Sequence, residues 1–157
     1  MGDWKSKGHS KYPLQYHIIL VCKYRKKLLT PRISDDIKRL SLEICEKHEV
    51  SIPYMETDKD HIHYMIETTP NINLSDLIKT LKSYTTYHIW ELHKPYLRKC
   101  FWKEHTFWTD GYFLCSVGNV SEKNPQRIQR KSRIVLDYWC SMCYNDTVLK
   151  EHERPSG

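Results

Sequence analysis

The sequence lacks a long hydrophobic run, and this absence excludes a transmembrane helix. Its longest apolar stretch is Ile18 to Cys22, whereas a helix needs about 20 consecutive apolar residues to cross a bilayer. Residues 1–11 are polar and lack the apolar segment of a secretory signal peptide. We therefore expect a cytoplasmic protein that makes no membrane contact.

Repeats, low-complexity tracts and shifts of composition are also absent, so the sequence offers no domain boundary. Its 157 residues are enough for one hydrophobic core, and a hydrophobic content of 39% excludes a disordered chain. We predict a single domain over residues 1–157.

A second cysteine pair is missing as well. Cys140 and Cys143 form a lone C-x-x-C, with no partner pair for a zinc ribbon and no thioredoxin-like βαβ context. In a cytosolic protein, the six cysteines are expected to be free thiols.

The charge balance and the aromatic content favour a nucleic-acid partner. The net charge is +6, and aromatic residues make up 12% of the chain, with eleven tyrosines and five tryptophans. Basic surfaces with interleaved aromatic rings suit single-stranded nucleic acid, because bases stack on the rings and phosphates meet Lys and Arg. Taken alone, the aromatic residues are better explained as ordinary core and rim positions.

Hydrophobic periodicity predicts an α+β fold. Strands are predicted at 16–23, 50–57, 61–67 and 112–117, and helices at about 32–48, at 74–92 and within 126–144. Asn73 or Ser75 can cap the second helix, and Pro95 is expected to end it, leaving 95–106 as a loop. The order β-α-β-β-α-β predicts the ferredoxin-like split βαβ motif: a four-stranded antiparallel sheet with helices on one face, here followed by a C-terminal helix.

The motif His61-Ile62-His63 lies on the third predicted strand. Side chains alternate along a strand, so the two histidines share a face, with Cα atoms roughly 6.5–7 Å apart. Two imidazoles at that spacing can converge on one metal ion. The alternative is that both histidines decorate the wet face of an antiparallel sheet. Asp58 and Asp60 are explained by the turn before the strand, and His17, next to buried positions, is predicted to be structural.

With these elements placed, the chain resembles the single-tyrosine HUH transposases of small insertion sequences, the insertion-sequence 200/605 group. "HUH" denotes His-hydrophobic-His, here His61-Ile62-His63. The matching segments occur in the family's order and cover about residues 12–123, leaving 124–157 as a divergent tail: Tyr16 to Lys27, Thr57 to His63, Leu77 to Lys82, Phe107 to Phe113, and Ser116 to Ser121.

The resemblance implies a mechanism. Family members bind single-stranded DNA with hairpins at the element ends and act as dimers. His61 and His63 would hold Mg²⁺ or Mn²⁺, together with a third, oxygen ligand, because imidazole is softer than magnesium prefers. A tyrosine on the last helix would attack the scissile phosphate, leaving a 5′-phosphotyrosine and a free 3′-OH.

Basic side chains predict the DNA contacts. Lys23, Arg25, Lys26 and Lys27 form a turn that can grip a phosphate backbone, with Tyr24 positioned to stack on a base. A solvated turn is the alternative. On the second helix, Lys79 and Lys82 lie off the apolar face and complete the predicted DNA-binding set.

The sequence departs from the family at the nucleophile. Arg127-Ile128-Gln129 stands where the family has Tyr-Ile and a helping Gln, and no tyrosine occurs between Tyr112 and Tyr138. Arginine stays protonated and cannot attack phosphorus. Pro125 also falls inside the helix that the family places there.

Three explanations of the missing tyrosine remain. The tail is shifted in reading frame from about Lys123, or Tyr138 on a displaced helix is the nucleophile, or the protein binds DNA without cleaving it. Tyr138 shares an apolar face with Ile134, Val135 and Trp139, which favours packing. Translation of the gene in the other frames should reveal Tyr-Ile near position 128 if the first is right. A non-catalytic ferredoxin-like module that binds single-stranded nucleic acid is the alternative function.

Overall fold

Six regular elements follow the order β-α-β-β-α-β in the computed structural model, which describes residues 13–117. The strands are β1 (Leu14–Val21), β2 (Ser51–Thr57), β3 (His61–Thr68) and β4 (Phe113–Val117), and the helices are α1 (Pro31–Lys47) and α2 (Leu74–Cys100). A single 3₁₀ turn, Lys23–Arg25, follows β1. The predicted helix within 126–144 lies outside the described residues, so the single-domain boundary at 157 stays a prediction.

The strands form one antiparallel sheet in the order β2-β3-β1-β4. This order, with the connection of each element, confirms the predicted ferredoxin-like split βαβ fold. The two-stranded hairpin of β2 and β3 closes through a tight turn, in which the Asp58 amide donates to the His61 carbonyl at 2.9 Å. The first histidine of the motif therefore stands directly at the start of its strand.

Alternation along β3 sends one set of side chains into the core. Ile62, Tyr64 and Ile66 are at most 1% exposed, and they pack with apolar residues from both helices, which include Ile33, Ile37, Leu40, Ile44, Leu77, Ile78, Leu81 and Ile89. Both helices therefore cover the same face of the sheet. His61 and His63 alternate with these core residues and belong to the opposite face.

Each helix begins at a capped residue. The Thr30 hydroxyl accepts from the Ile33 amide at 3.4 Å, and Pro31 occupies the first turn of α1. The Asn73 side chain accepts from the Asp76 amide at 3.3 Å at the start of α2. These contacts satisfy amide groups that have no partner inside the helix, and they identify Asn73 as the cap.

The predicted end of the second helix at Pro95 is wrong. The helix continues to Cys100, with a break at His93, whose φ of −125° and ψ of 25° are not helical. Because the break comes two residues earlier, Pro95 lies in the first turn of the segment that resumes, where its missing amide hydrogen removes no helical bond. The His93 ring is fixed by Asp36 of α1, with 2.6 Å between Nε2 and Oδ2.

The edge strand β2 is irregular at Pro53. Its pairing with β3 shifts between Ser51 and Tyr54, the segment that contains the proline. Proline has no amide hydrogen to give to the ladder, and it is tolerated at sheet edges for that reason.

The four described cysteines, Cys22, Cys45, Cys100 and Cys115, are free thiols, as predicted for these positions. Cys140 and Cys143 lie outside the described residues. Within residues 13–117, no helix combines the length and the apolar character that a membrane crossing requires.

A buried hydroxyl pair joins α1 to β3, and it yields a stability prediction. The Ser41 hydroxyl donates to the Ile37 carbonyl at 2.7 Å, so it accepts from the Tyr64 hydroxyl 2.9 Å away. Burial raises the pKa of the Tyr64 phenol, which remains a donor. Ser41→Ala strands that donor and should cost roughly 1–3 kcal/mol, whereas Tyr64→Phe removes it and should cost about 1 kcal/mol. Urea unfolding of the two variants measures their free energies of unfolding. A larger loss of stability in Tyr64→Phe than in Ser41→Ala would contradict this donor assignment.

Candidate metal centre

His61 and His63 lie side by side on the sheet face that the helices leave uncovered. Their ring centroids are 4.9 Å apart and their planes meet at 71°. His61 is only 7% exposed, and His63 is half-buried. The two imidazoles lie on the same face of the strand, as the sequence predicted, and the structure places them in a partly desolvated environment.

Asp60 fixes the His61 ring. Its Oδ1 lies 2.7 Å from His61 Nδ1, and its Oδ2 accepts from Arg25 Nη2 at 2.9 Å. Burial would raise the pKa of the Asp60 carboxyl, but the hydrogen bonds from His61 and Arg25 outweigh burial and lower it. An ionised carboxylate at Nδ1 requires the proton on that nitrogen, which directs the lone pair of Nε2 away from the turn.

His17 of β1 holds the second ring. Its Nε2 lies 3.2 Å from His63 Nδ1, and the two rings stack with centroids 5.3 Å apart and planes 15° from parallel. Burial, followed by the nearby His61 and His17 charges, lowers the pKa of His63 to about 4. His63 is therefore neutral at neutral pH, the form that a metal ligand requires.

His17 is the site residue that sequence reasoning placed in a structural role only. The register pairs His17 with Met65 and Ile19 with His63, so His17 reaches His63 diagonally across two strands. Only the pairing of β1 with β3 brings them together, and no spacing along the chain encodes it.

The predicted third, oxygen ligand is not found among residues 13–117, where no group of three His, Cys, Asp or Glu residues could hold an ion. Asp58 accepts from the Lys59 amide at 2.7 Å and completes the turn. The described donor set still fits a divalent ion. Within residues 13–117, hydrogen bonds engage the Nδ1 atom of each histidine and neither Nε2 atom. Ligation through Nε2 requires the His63 proton on Nδ1, where it would be donated to His17 Nε2. Catalytic metal sites commonly keep positions for water or substrate oxygens.

The predicted DNA-binding turn contacts this site through Arg25 and Asp60, and it has an unusual backbone conformation. Tyr24 and Arg25 have φ values of 57° and 51°, in the left-handed region that side chains with a Cβ disfavour. The turn aims Lys23 at Asp110 (3.3 Å), Tyr24 at Glu104 (3.2 Å) and Arg25 at Asp60. Backbone strain of this kind concentrates at functional sites.

The other predicted DNA-binding lysines differ in their surroundings. Lys26 Nζ donates to the Cys100 carbonyl, and Lys82 Nζ donates to the carbonyls of Thr109 (2.6 Å) and Asp110 (2.9 Å). Burial lowers the pKa of Lys82. Lys27 and Lys79 are exposed. Lys26 thus supports the end of α2, and Lys82 supports the loop before β4. Lys27 and Lys79 have the exposure that a phosphate contact needs.

The predicted nucleophile region lies outside the described residues. Tyr138, Pro125 and Arg127-Ile128-Gln129 all fall within 118–157, and their arrangement around His61 and His63 stays a prediction.

Comparison with known proteins gives consistent matches. The family model described as "Transposase IS200 like" matches residues 10–130, a range that includes Arg127. The chain is 30% identical over 129 residues to the transposase for insertion sequence element IS200 of Salmonella typhimurium, covering 82% of this chain and 81% of that protein. It is 28% identical over 126 residues to the ISDra2 transposase TnpA of Deinococcus radiodurans, covering 80% and 86%.

Solved structures agree on the fold. The crystal structure of a proposed transposase from Deinococcus radiodurans R1 matches with a TM-score of 0.67 at 25% identity, over 83% of this chain and 94% of that chain. A REP-associated tyrosine transposase bound to a REP hairpin matches with a TM-score of 0.50 at 13% identity, over 78% and 66%. The second likeness concerns the fold alone.

Proposed function

The chain belongs to the IS200-like transposase family and acts in DNA transposition, and from this premise we propose that it cleaves and rejoins single-stranded DNA at hairpin ends. The observation that carries the proposal is the pair His61 and His63, each with Nδ1 engaged and Nε2 left for an ion. The proposed cofactor is Mg²⁺ or Mn²⁺, held by these two histidines.

The two fixed rings would hold a divalent ion in position for a reaction at a phosphate group. A bound divalent ion would neutralise charge on the non-bridging oxygens of the scissile phosphate. The protein contributes the positions of the two rings, which Asp60 and His17 hold before any substrate arrives. Such preorganisation lowers the cost of binding the transition state.

The covalent step is a transfer of phosphorus from one oxygen to another. A tyrosine phenol oxygen attacks the scissile phosphorus, loses its proton, and forms a 5′-phosphotyrosine. The bond from phosphorus to the 3′ oxygen breaks, and that oxygen takes a proton to become a 3′-OH. Tyr138 is a weak candidate for this role, because its apolar neighbours in the sequence favour packing. A hydroxyl on the DNA reverses the step when strands rejoin.

The basic surface supports a polyanionic substrate. Exposed Lys27 and Lys79 supply phosphate contacts, and Lys23 and Arg25 hold the turn between the carboxylates of Asp110 and Asp60. We expect the protein to act as a homodimer, as the resemblance implies, so that the tail of one copy can serve the histidines of the other.

Incubation with a hairpin-bearing single-stranded oligonucleotide and Mn²⁺ tests the proposal. The expected product is a protein–DNA adduct that survives denaturation, and peptide mapping of that adduct identifies the tyrosine. A Tyr138→Phe variant should lose the adduct if Tyr138 is the nucleophile. Duplex DNA of the same sequence is the control and should give no adduct.

Binding of the hairpin without any adduct, in Mn²⁺ and in Mg²⁺, would contradict the cleavage proposal. That result would favour a module that binds single-stranded DNA and has lost the chemistry. It is the result expected if Arg127 has replaced the nucleophile and no other tyrosine has taken its place.

A further inference from the structure

Trp102 is 91% exposed, the largest value among the exposed large hydrophobic side chains of the described residues. Single exposed apolar residues are common on protein surfaces, so exposure alone indicates no site. The position of Trp102 and its neighbours distinguishes it.

The loop that carries Trp102 is fastened on both sides. Before Trp102, Phe101 is 4% exposed and the Lys26 ammonium lies 5.0 Å from its ring centroid. After it, the Glu104 carboxylate accepts from the Tyr24 hydroxyl at 3.2 Å. The indole therefore stands out from a loop that the basic turn anchors.

The same turn leads to the metal pair. Arg25 binds Asp60, and Asp60 binds His61, while the neighbouring Tyr24 binds the loop of Trp102. Tyr24 and Arg25, the two residues with left-handed backbone, thus contact two different partners. A strand of DNA that leaves His61 across this turn would therefore reach the surface of Trp102.

The surface around the indole has the chemistry of a single-strand platform. Tyr24 is 49% exposed, and the Lys103 ammonium lies 5.4 Å from the Trp102 ring centroid. Lys103 makes no ion pair with a carboxylate within residues 13–117. Two accessible rings and an available cation match bases that stack and a phosphate that needs a counter-charge.

We propose that Trp102 is a stacking platform for an unpaired base of the single-stranded DNA that extends from the site of His61 and His63. The assignment rests on the proposed single-stranded substrate, and it is independent of whether this chain completes cleavage. The ligand is a nucleobase of a single strand, which stacks through its π face on the indole, so the contact has no sequence preference.

Binding measured by fluorescence anisotropy in EDTA tests the platform without any cleavage. The probes are a labelled hairpin with single-stranded flanks and the same hairpin without flanks. Trp102→Ala should weaken binding of the flanked probe by about tenfold or more. Its affinity for the hairpin without flanks should be unchanged. Trp102→Phe should retain most of the affinity, whereas Trp102→Leu, apolar without a π face, should behave like alanine.

A scan with one abasic site at each flank position locates the base. At the stacked position, the abasic site should weaken binding to the wild type and have no further effect on Trp102→Ala. Tyr87→Ala, which removes another exposed ring, is the matched control and should leave flank binding unchanged.

Equal binding of the flanked probe by the wild type and Trp102→Ala would overturn the proposal, as would an abasic scan with no coupled position. If Trp102→Leu binds the flanked probe as tightly as the wild type and Trp102→Ala no longer forms dimers, the indole contacts a second copy of the chain and does not stack on a base. If the wild type forms no adduct but the abasic scan finds a position whose effect depends on Trp102, the cleavage proposal is contradicted and the stacking proposal is supported. A wild type that binds no single strand overturns both.

Discussion

Replacing His61 or His63 with alanine is expected to abolish metal-dependent cleavage while leaving hairpin binding close to that of the wild type. Each substitution removes one of the two imidazoles that face the same place. Loss of an outer-shell partner lowers metal affinity about 10–100-fold, so loss of a ligand should lower it by more than about 100-fold. The proposed DNA contacts lie on the turn and on α2, and neither substitution alters those side chains directly.

Titration of Mn²⁺ by calorimetry and the adduct assay measure the two parts of this expectation. His48→Ala removes an exposed histidine at the end of α1 and serves as the matched control, with unchanged metal binding. Thermal unfolding confirms that each variant is folded. A His63→Ala protein that binds Mn²⁺ as tightly as the wild type would show that the pair is a structural feature of the sheet.

The fold could be predicted because local patterns and chain order both point to it. Ile62, Tyr64 and Ile66 alternate with the histidines, so one face of β3 had to enter the core. The order of strands and helices then allowed few topologies. Pro95 misled the prediction because a proline inside a helical pattern ends the helix only when no break precedes it, and the break at His93 is stabilised by Asp36 in another helix.

The site could be predicted only in part, because half of its contacts depend on tertiary structure. His61 and His63 are two residues apart, and strand alternation places them together. The partner of His63 is 46 residues away, and its identity depends on strand register. Trp102 falls in a segment predicted to be loop, where no periodicity assigns a direction to a side chain, and its neighbour Tyr24 is 80 residues from Glu104.

Removing the Asp60 carboxylate is the second substitution with a large expected effect. Asp60→Ala should lower Mn²⁺ affinity about 10–100-fold, because the His61 ring loses the acceptor that fixes its tautomer and orientation. Asp60→Asn keeps an oxygen that can accept from Nδ1 and loses the charge, so its affinity should lie between those of alanine and the wild type. The lowered pKa of Asp60 means that this charge is present at neutral pH.

Substitutions at two neighbouring residues, Asp58 and Arg25, distinguish an effect of Asp60 on His61 from an effect on the rest of the turn. Asp58→Asn changes a carboxylate in the same turn that contacts a backbone amide, and it should leave metal affinity unchanged. Arg25→Gln removes the other partner of Asp60, across a salt bridge whose arginine side chain is 39% exposed, and its effect on metal affinity should be small. If Arg25→Gln and Asp60→Ala weaken Mn²⁺ binding equally, the aspartate acts by holding the basic turn, and His61 does not depend on it for orientation. A loss confined to Asp60 would instead show that the carboxylate acts on metal binding through the His61 ring that it orients.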